Sequence, residues 1–359
     1  MGSSELSERS RRILVTLVRE YVETGEPIAS HVLVERGAFG LSSATLRNEL
    51  ARLEEHGYLY QPHTSAGRVP TDAGYRCYVD VLLESRRPAQ PRAVAAQLRA
   101  RAGETALLEE VLAEVPHVLA LAAHSFGFAV APDSEAEAFH QIDFVPLAGS
   151  KVLVVVVAQG GRVTHKVIDT GEPIDLVDLR QAANYLNAEF AGLTLADVRA
   201  RVLERLAEER SLYDALLSRA LRLARSALES VGPEHTVFVE GTASLLEAAA
   251  APSSGVSLPT LRALVSMVEE KHRLVRLLTE YIEGPGLTIV IGAEHSLPDL
   301  REFSLIASTY GDGQRTGTVG IIGPTRMHYR RAISVVDCVA RTVSRLLSEG
   351  AWNETAVRS

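Results

Sequence analysis

Between Ser42 and Leu53 the sequence places polar side chains opposite an apolar stripe: Ala44, Asn48 and Arg52 recur every fourth residue, flanked by Thr45 and Arg47, while Leu46, Leu50 and Leu53 take the other face. A guanidinium can pair bidentately with guanine and a carboxamide with adenine, and the methyl of Ala or Thr can touch that of thymine. Ser43, Thr45, Arg47 and Asn48 are therefore candidates for reading base edges, although the same types also cap and solvate ordinary helices. A second stretch, QPHTSAGRVPTDAGYR at 61–76, carries His63, Thr64, Ser65 and Arg68 around its tip with no acidic residue among them. Such a loop can approach phosphates or a minor groove without repulsion. An ordinary polar hairpin, shaped by Gly67 and Pro70 over Tyr75 and Tyr78, fits these residues too.

Both stretches need a frame. Ile13, Leu14, Leu17, Val18 and Tyr21 form one face of a helix ending at Gly25, and a shorter helix follows Pro27. Ser42 or Ser43 caps a third helix, with Gly57 just past its end. Short strands at 58–61 and 67–69 flank the tip, and Thr71 caps the next helix. Three helices and a two-stranded hairpin within about 75 residues are the pattern of a winged helix-turn-helix, whose third helix can enter a major groove. Glu54 and Glu55 fall in that helix's last turn, away from the end that meets bases.

Beyond a Pro- and Arg-bearing segment at 85–91, helical periodicity resumes over 104–117. Segments 126–130, 139–147, 151–158 and 162–168 then read as strands of one antiparallel meander. From the Thr194 cap to about 283 the pattern is mainly helical, with an isolated strand at 237–239. Strands return at 287–291, 304–310 and 318–322 before a final helix over 327–347. The expected architecture is α+β multidomain: a winged helix at 1–85, a linker at 86–103, an α+β domain in two parts at 104–191 and 285–350, a helical insertion at 192–284, and a tail at 351–359.

A chain of 359 residues, 46% apolar and 23% charged, fits two or three cored domains. Its net charge of −8 disfavours an overall basic nucleic-acid binder, yet duplex affinity needs only a local basic stripe. The basic residues are nearly all Arg, a bias that reflects genome composition. Cys77 and Cys338 lack Cys or His neighbours at zinc spacing, so a reducing compartment and no structural metal are expected. His117, His124, His140 and His165 are dispersed. No apolar leader opens the chain, and 115–132, free of Asp, Glu, Lys and Arg, is broken by Pro116, His117, His124, Ser125 and Gly127. A cytoplasmic protein follows. With no Walker loop, G-x-S-x-G elbow or H-E-x-x-H helix, no catalytic residue or cofactor is assigned. Gly323-Pro324-Thr325-Arg326 could offer helix amides to an anion, with Arg330 and Arg331 beside it. Alternatively Thr325 caps the helix, Pro324 sets its direction and the arginines contact solvent or another domain, and no ligand is assigned there. A competing class is a ligand-sensing regulator or small-molecule enzyme whose α+β domain holds a pocket.

Pro27-Ile28-Ala29-Ser30, the run LSSATLRNEL at 41–50, the hairpin PHTSAGRVPTDAGYR at 62–76 and GIIGPTRMHY at 320–329 together closely resemble the bacterial heat-inducible transcription repressor HrcA family, from end to end. Leu46, Glu49 and Ala29 depart from its commonest residues. The resemblance implies a homodimeric repressor built of a winged helix, a GAF-like domain and an inserted dimerisation domain. It also implies binding to double-stranded DNA at an inverted repeat, the CIRCE operator, upstream of groE- and dnaK-type operons, and a GroEL-type chaperonin partner that keeps the repressor competent. It implies no bound small molecule.

Overall fold

The computed structural model describes residues 6–37, 40–64, 66–85, 92–102, 108–132, 138–158, 163–208, 236–241, 284–311 and 316–348, together with 225, 257, 259, 261–262, 265–266 and 281. Helix α1 (Glu8–Thr24) begins where Ser7 Oγ accepts the Ser10 N–H at 3.1 Å and ends at Gly25, whose φ of +73° suits a residue without Cβ. Its buried stripe of Ile13, Leu14, Leu17 and Val18 packs with Leu33 of α2 (Ser30–Gly37) and with Leu46, Leu50 and Leu53 of α3 (Ser43–Glu55). Polar ties fix the three helices. Buried Ser10 donates to Glu49 Oε2 at 3.0 Å, and buried Glu20 accepts from Arg36 Nη1 at 2.8 Å. Strands β1 (Leu59–Tyr60) and β2 (Val69–Pro70) pair antiparallel and lead to α4 (Asp72–Glu84), capped by Thr71.

Residues expected to be linker instead form α5 (Arg92–Ala102), since RAVAAQLRARA contains no helix breaker. It packs on α6 (Leu108–Ala123) and on the final helix α9 (Tyr329–Ser348). Both α6 and α9 lie against an antiparallel five-stranded sheet of order β7-β3-β10-β9-β8. Its strands are β3 (Phe126–Val130), β7 (Val237–Glu240), β8 (Leu287–Ile291), β9 (Phe303–Gly311) and β10 (Thr316–Pro324). Alternate residues serve two cores: Ile306, Val319 and Ile321 meet the helices, while Phe126, Phe128, Leu305 and Ile322 fill the other side.

The meander differs from expectation. Only β4 (Phe139–Pro146), β5 (Lys151–Ala158) and β6 (Val163–Asp169) form it, in that order. Residues 126–130 belong to the other sheet, because β3 is hydrogen-bonded between β7 and β10. The meander has a core of its own with α7 (Leu176–Phe190), which the periodicity left unread, and α8 (Leu195–Glu208). Asn187 of α7 accepts the Ile142 N–H at 2.7 Å and donates to the Ile142 carbonyl at 3.1 Å, occupying edge-strand groups that would otherwise be unpaired. The polypeptide thus leaves the five-stranded sheet after β3 and rejoins it at β7.

Candidate nucleic-acid interface

Ser42 Oγ accepts the Thr45 N–H at 3.2 Å and so starts α3; burial of Leu46, Leu50 and Leu53 then turns Ala44, Arg47, Asn48 and Arg52 outward, all exposed. Gly57, at φ +77°, turns the chain into the hairpin. The hairpin is seated against the start of α2 by two backbone bonds, Ile28 N to Arg68 O at 2.9 Å and Arg68 N to Ile28 O at 2.8 Å. Approach is so close that a Cβ on Gly67 would lie 2.4 Å from the Ile28 carbonyl carbon, so no larger residue fits. Gln61 Nε2 donates to the carbonyls of Thr64 and Ala66, at 3.0 and 2.8 Å, and shapes the tip.

Between the start of α2, the outer side of α3 and the hairpin lies a cleft of about 450 Å³. Its lining includes Ser30 and His31 from α2, Arg47 from α3, and Gln61, Thr64, Gly67 and Arg68 from the hairpin, with no carboxylate among the described residues. Arg47 and Thr64, singled out from sequence, therefore meet in one place. Asn48, next to Arg47 in α3, is exposed but outside the cleft lining, and His63 is exposed at the tip. Thr45 is half-buried, with its hydroxyl 3.0 Å from Ser42 Oγ. Two candidates have other engagements. Ser43 Oγ lies 3.0 Å from Ser30 Oγ and ties α3 to α2; Arg68 Nε sits 2.9 Å from Glu54 Oε2 with its side chain 17% exposed, bracing the hairpin against the end of α3. Ser65 lies outside the described residues. His31, exposed in the cleft, escaped the sequence reading; its only signal was its place just after the Pro27 to Ser30 motif.

The second half of the hairpin motif does different work. Thr71 Oγ1 accepts the Gly74 N–H at 3.3 Å and donates to the Gly57 carbonyl at 2.6 Å, while a Cβ on Gly74 would press 2.4 Å from the Tyr58 carbonyl oxygen. Tyr75 and Tyr78 pack on Tyr329, with ring centroids 5.9 and 6.4 Å away. Arg76 Nε donates to Glu294 Oε1 at 2.6 Å and its Nη2 to the Ile289 carbonyl at 2.7 Å, while Asp72 Oδ2 accepts the Ala293 N–H at 2.8 Å. Burial pushes the Asp72 carboxyl upward, opposed by that N–H. The late GPTRMHY run completes the junction. Arg326 Nη1 donates to the Val22 carbonyl of α1 at 3.0 Å, and fully buried Tyr329 donates to the Thr325 carbonyl at 2.7 Å, with Ser304 Oγ 2.8 Å from its hydroxyl. Thr325 does not cap α9, which begins four residues later; its hydroxyl and N–H both bond the Glu302 carbonyl. The run reads as an inter-unit dock in which Arg326 contacts the N-terminal helices.

Among the described residues no group of three or more His, Cys, Asp and Glu could hold a metal, and no helix is long and apolar enough to cross a membrane. Cys77 and Cys338 are buried, and neither is in a disulfide.

The described elements form a mixed α+β chain, and the relatives it matches belong to one class, the transcription regulators. Residues 109–333 match the family model described as HrcA protein C terminal domain. The chain is 40% identical over 346 residues to the heat-inducible transcription repressor HrcA of Geobacter sulfurreducens, covering 96% of this chain and 99% of that one. It is 37% identical over 353 residues to the repressor of the same name from Anaeromyxobacter sp. strain K, covering 97% and 98%. The chain belongs to the HrcA family of heat-inducible transcription repressors and is a heat-shock transcriptional repressor. A crystal structure described as that of a hypothetical protein shares the fold, with a TM-score of 0.66, 24% identity, and coverage of 96% of this chain and 99% of that one.

Proposed function

We propose that the N-terminal unit is a winged helix-turn-helix that represses by laying α3 in the major groove of each half of an inverted-repeat operator, with Arg47, Asn48 and Thr45 at base edges. His63, Thr64 and Ser65 reach the backbone or minor groove. Ser43 and Arg68 serve the interface at one remove: the first sets α3 against α2, and the second holds the hairpin. The observation that carries this reading is the cleft in which Arg47, His31 and the hairpin converge without a carboxylate, the local basic surface that a chain of net charge −8 needs to meet phosphates.

The rest of the reading concerns assembly. The five-stranded sheet with α5, α6 and α9 forms the GAF-like domain; the inserted dimerisation unit, expected from sequence at 192–284 and largely outside the described residues, is extended back to about residue 138, because the meander has its own sheet and core. The outer face of that meander leaves Val145, Val163 and Val167 about half exposed, which supports a homodimer buried there. A two-fold dimer matches a palindromic site. Family membership supports the CIRCE operator, operons of groE and dnaK type, cytoplasmic and nucleoid-associated action, and a GroEL-type chaperonin as partner.

Footprinting the purified full chain on the chaperone promoter regions of its own chromosome, with and without that chaperonin, tests the proposal. Protection of an inverted repeat, strengthened by chaperonin, is expected; absence of any protected palindrome in both conditions overturns it.

A further inference from the structure

Away from the hairpin, α5 and α9 enclose a second cleft of about 210 Å³. Among the described residues its lining supplies four guanidinium groups and no carboxylate: Arg92 and Arg99 from α5, Arg341 and Arg345 from α9. Positions 92 and 99 lie two turns apart and 341 and 345 one turn apart, so each pair shares a helix face. Small residues between them, Ala95 and Ala96 on one side and Cys338 and Thr342 on the other, leave the space open. Arg341 is paired with Asp337, whereas Arg92, Arg99 and Arg345, all exposed, have no hydrogen-bond or ion-pair partner among the described residues. Asp337 offsets Arg341, but the other three like charges gather around a small volume with no carboxylate among its described lining residues. An acidic chain has little reason to concentrate them unless an anion belongs between.

Guanidinium forks facing each other across a cleft match phosphate oxygens in bidentate fashion. The volume, about 210 Å³, is below the roughly 300 Å³ at which pockets take drug-sized ligands, so the cleft seats a small anionic group and anything attached to that group extends outside. The floor offers no covalent chemistry: burial pushes the Cys338 thiol up, and the Thr342 hydroxyl is already committed to the Cys338 carbonyl at 2.8 Å. We propose that this cleft binds a small phosphate-bearing polyanion of the diphosphate class, held between Arg92 and Arg99 on α5 and Arg341 and Arg345 on α9. Because α5 follows the last helix of the N-terminal unit, a bound diphosphate bridges the departing chain to α9, whose first residue, Tyr329, docks that same unit.

Titration calorimetry of the full chain with inorganic pyrophosphate at near-physiological salt reads the site. Saturable binding of one anion per chain is expected, with orthophosphate weaker by about tenfold because it engages one side only. Arg99→Gln and Arg345→Gln should each weaken pyrophosphate by about tenfold, while Arg301→Gln, exposed and outside the lining, should leave it unchanged. Melting temperature gives an independent readout: pyrophosphate should raise it for the parent and Arg301→Gln proteins and not for the Arg99→Gln/Arg345→Gln double variant. Competition by ADP would identify the diphosphate of a nucleotide as the natural source, and failure to compete would identify the free anion; both support the site. Absence of saturable binding, or equal binding by the parent and the double variant, overturns the proposal.

Discussion

Arg47 and Arg68 carry the same charge and do different work. Arg47 stands exposed on α3 at the cleft, so Arg47→Ala should cost about 1 to 3 kcal/mol on the correct site and relax preference at one base position, measured by gel-shift titration against single-base operator variants. Sequence alone presents Arg68 as a phosphate contact, whose loss would weaken all DNA sequences alike and lower the salt slope by about one. Its ion pair with Glu54 changes that expectation. Arg68→Ala should still weaken all sequences alike, because the hairpin slackens, but with little change in the slope of log affinity against log salt. A fall of a full unit would restore the direct contact. Gly67 carries no charge and is equally constrained: a Cβ there meets backbone of Ile28, so Gly67→Ala should cost about 1 to 3 kcal/mol in a denaturant melt and unseat the hairpin.

The junction between the N-terminal unit and the five-stranded sheet is built by α4, α9 and the short turn at 292–295. Tyr329→Phe leaves Ser304 Oγ and the Thr325 carbonyl without their buried partner and should cost about 1 to 3 kcal/mol, with α3 itself unaltered by circular dichroism. At the end of that turn His295 is 3% exposed, and burial lowers its imidazole from 6.5 to about 4. The unfolded chain therefore takes up the proton first as pH falls, so stability is full above about 6.5 and is lost progressively down to about 4. Between pH 7 and pH 5 the loss should approach about 2 kcal/mol, and His295→Leu should abolish that component in parallel melts. The N-terminal elements were legible because their signals are local: Ser42 and Thr71 cap, Gly25 and Gly57 terminate, and leucines mark one face. The sheets were less so. VLVVVVA of β5 and FGFAV of β3 are both runs without a polar side chain, and only pairing with β10, nearly two hundred residues on, assigns β3 to the second sheet. The second engagements of Ser43 and Arg68 were hidden for the same reason, since each depends on a partner brought near by folding.

For the whole molecule, the excursion from β3 to β7 carries the meander, its exposed valines and α7 and α8 away from the sheet that docks the N-terminal helices. Under the proposed function, assembly and DNA reading would fall to different units joined through one framework. Sedimentation of the full chain at micromolar concentration should give a dimer, and Val163→Glu with Val167→Glu should shift it toward monomer and weaken operator binding, because each half-site is then held by one unit alone. The central claim is that the outer side of α3 faces bases. A photo-crosslinking side chain introduced in place of Asn48, with irradiation of the full protein on its footprinted promoter, tests this most directly. Cross-links should map to bases at symmetric positions in the two halves of the repeat; cross-links confined to protein, from the same chain or its partner, would contradict the account.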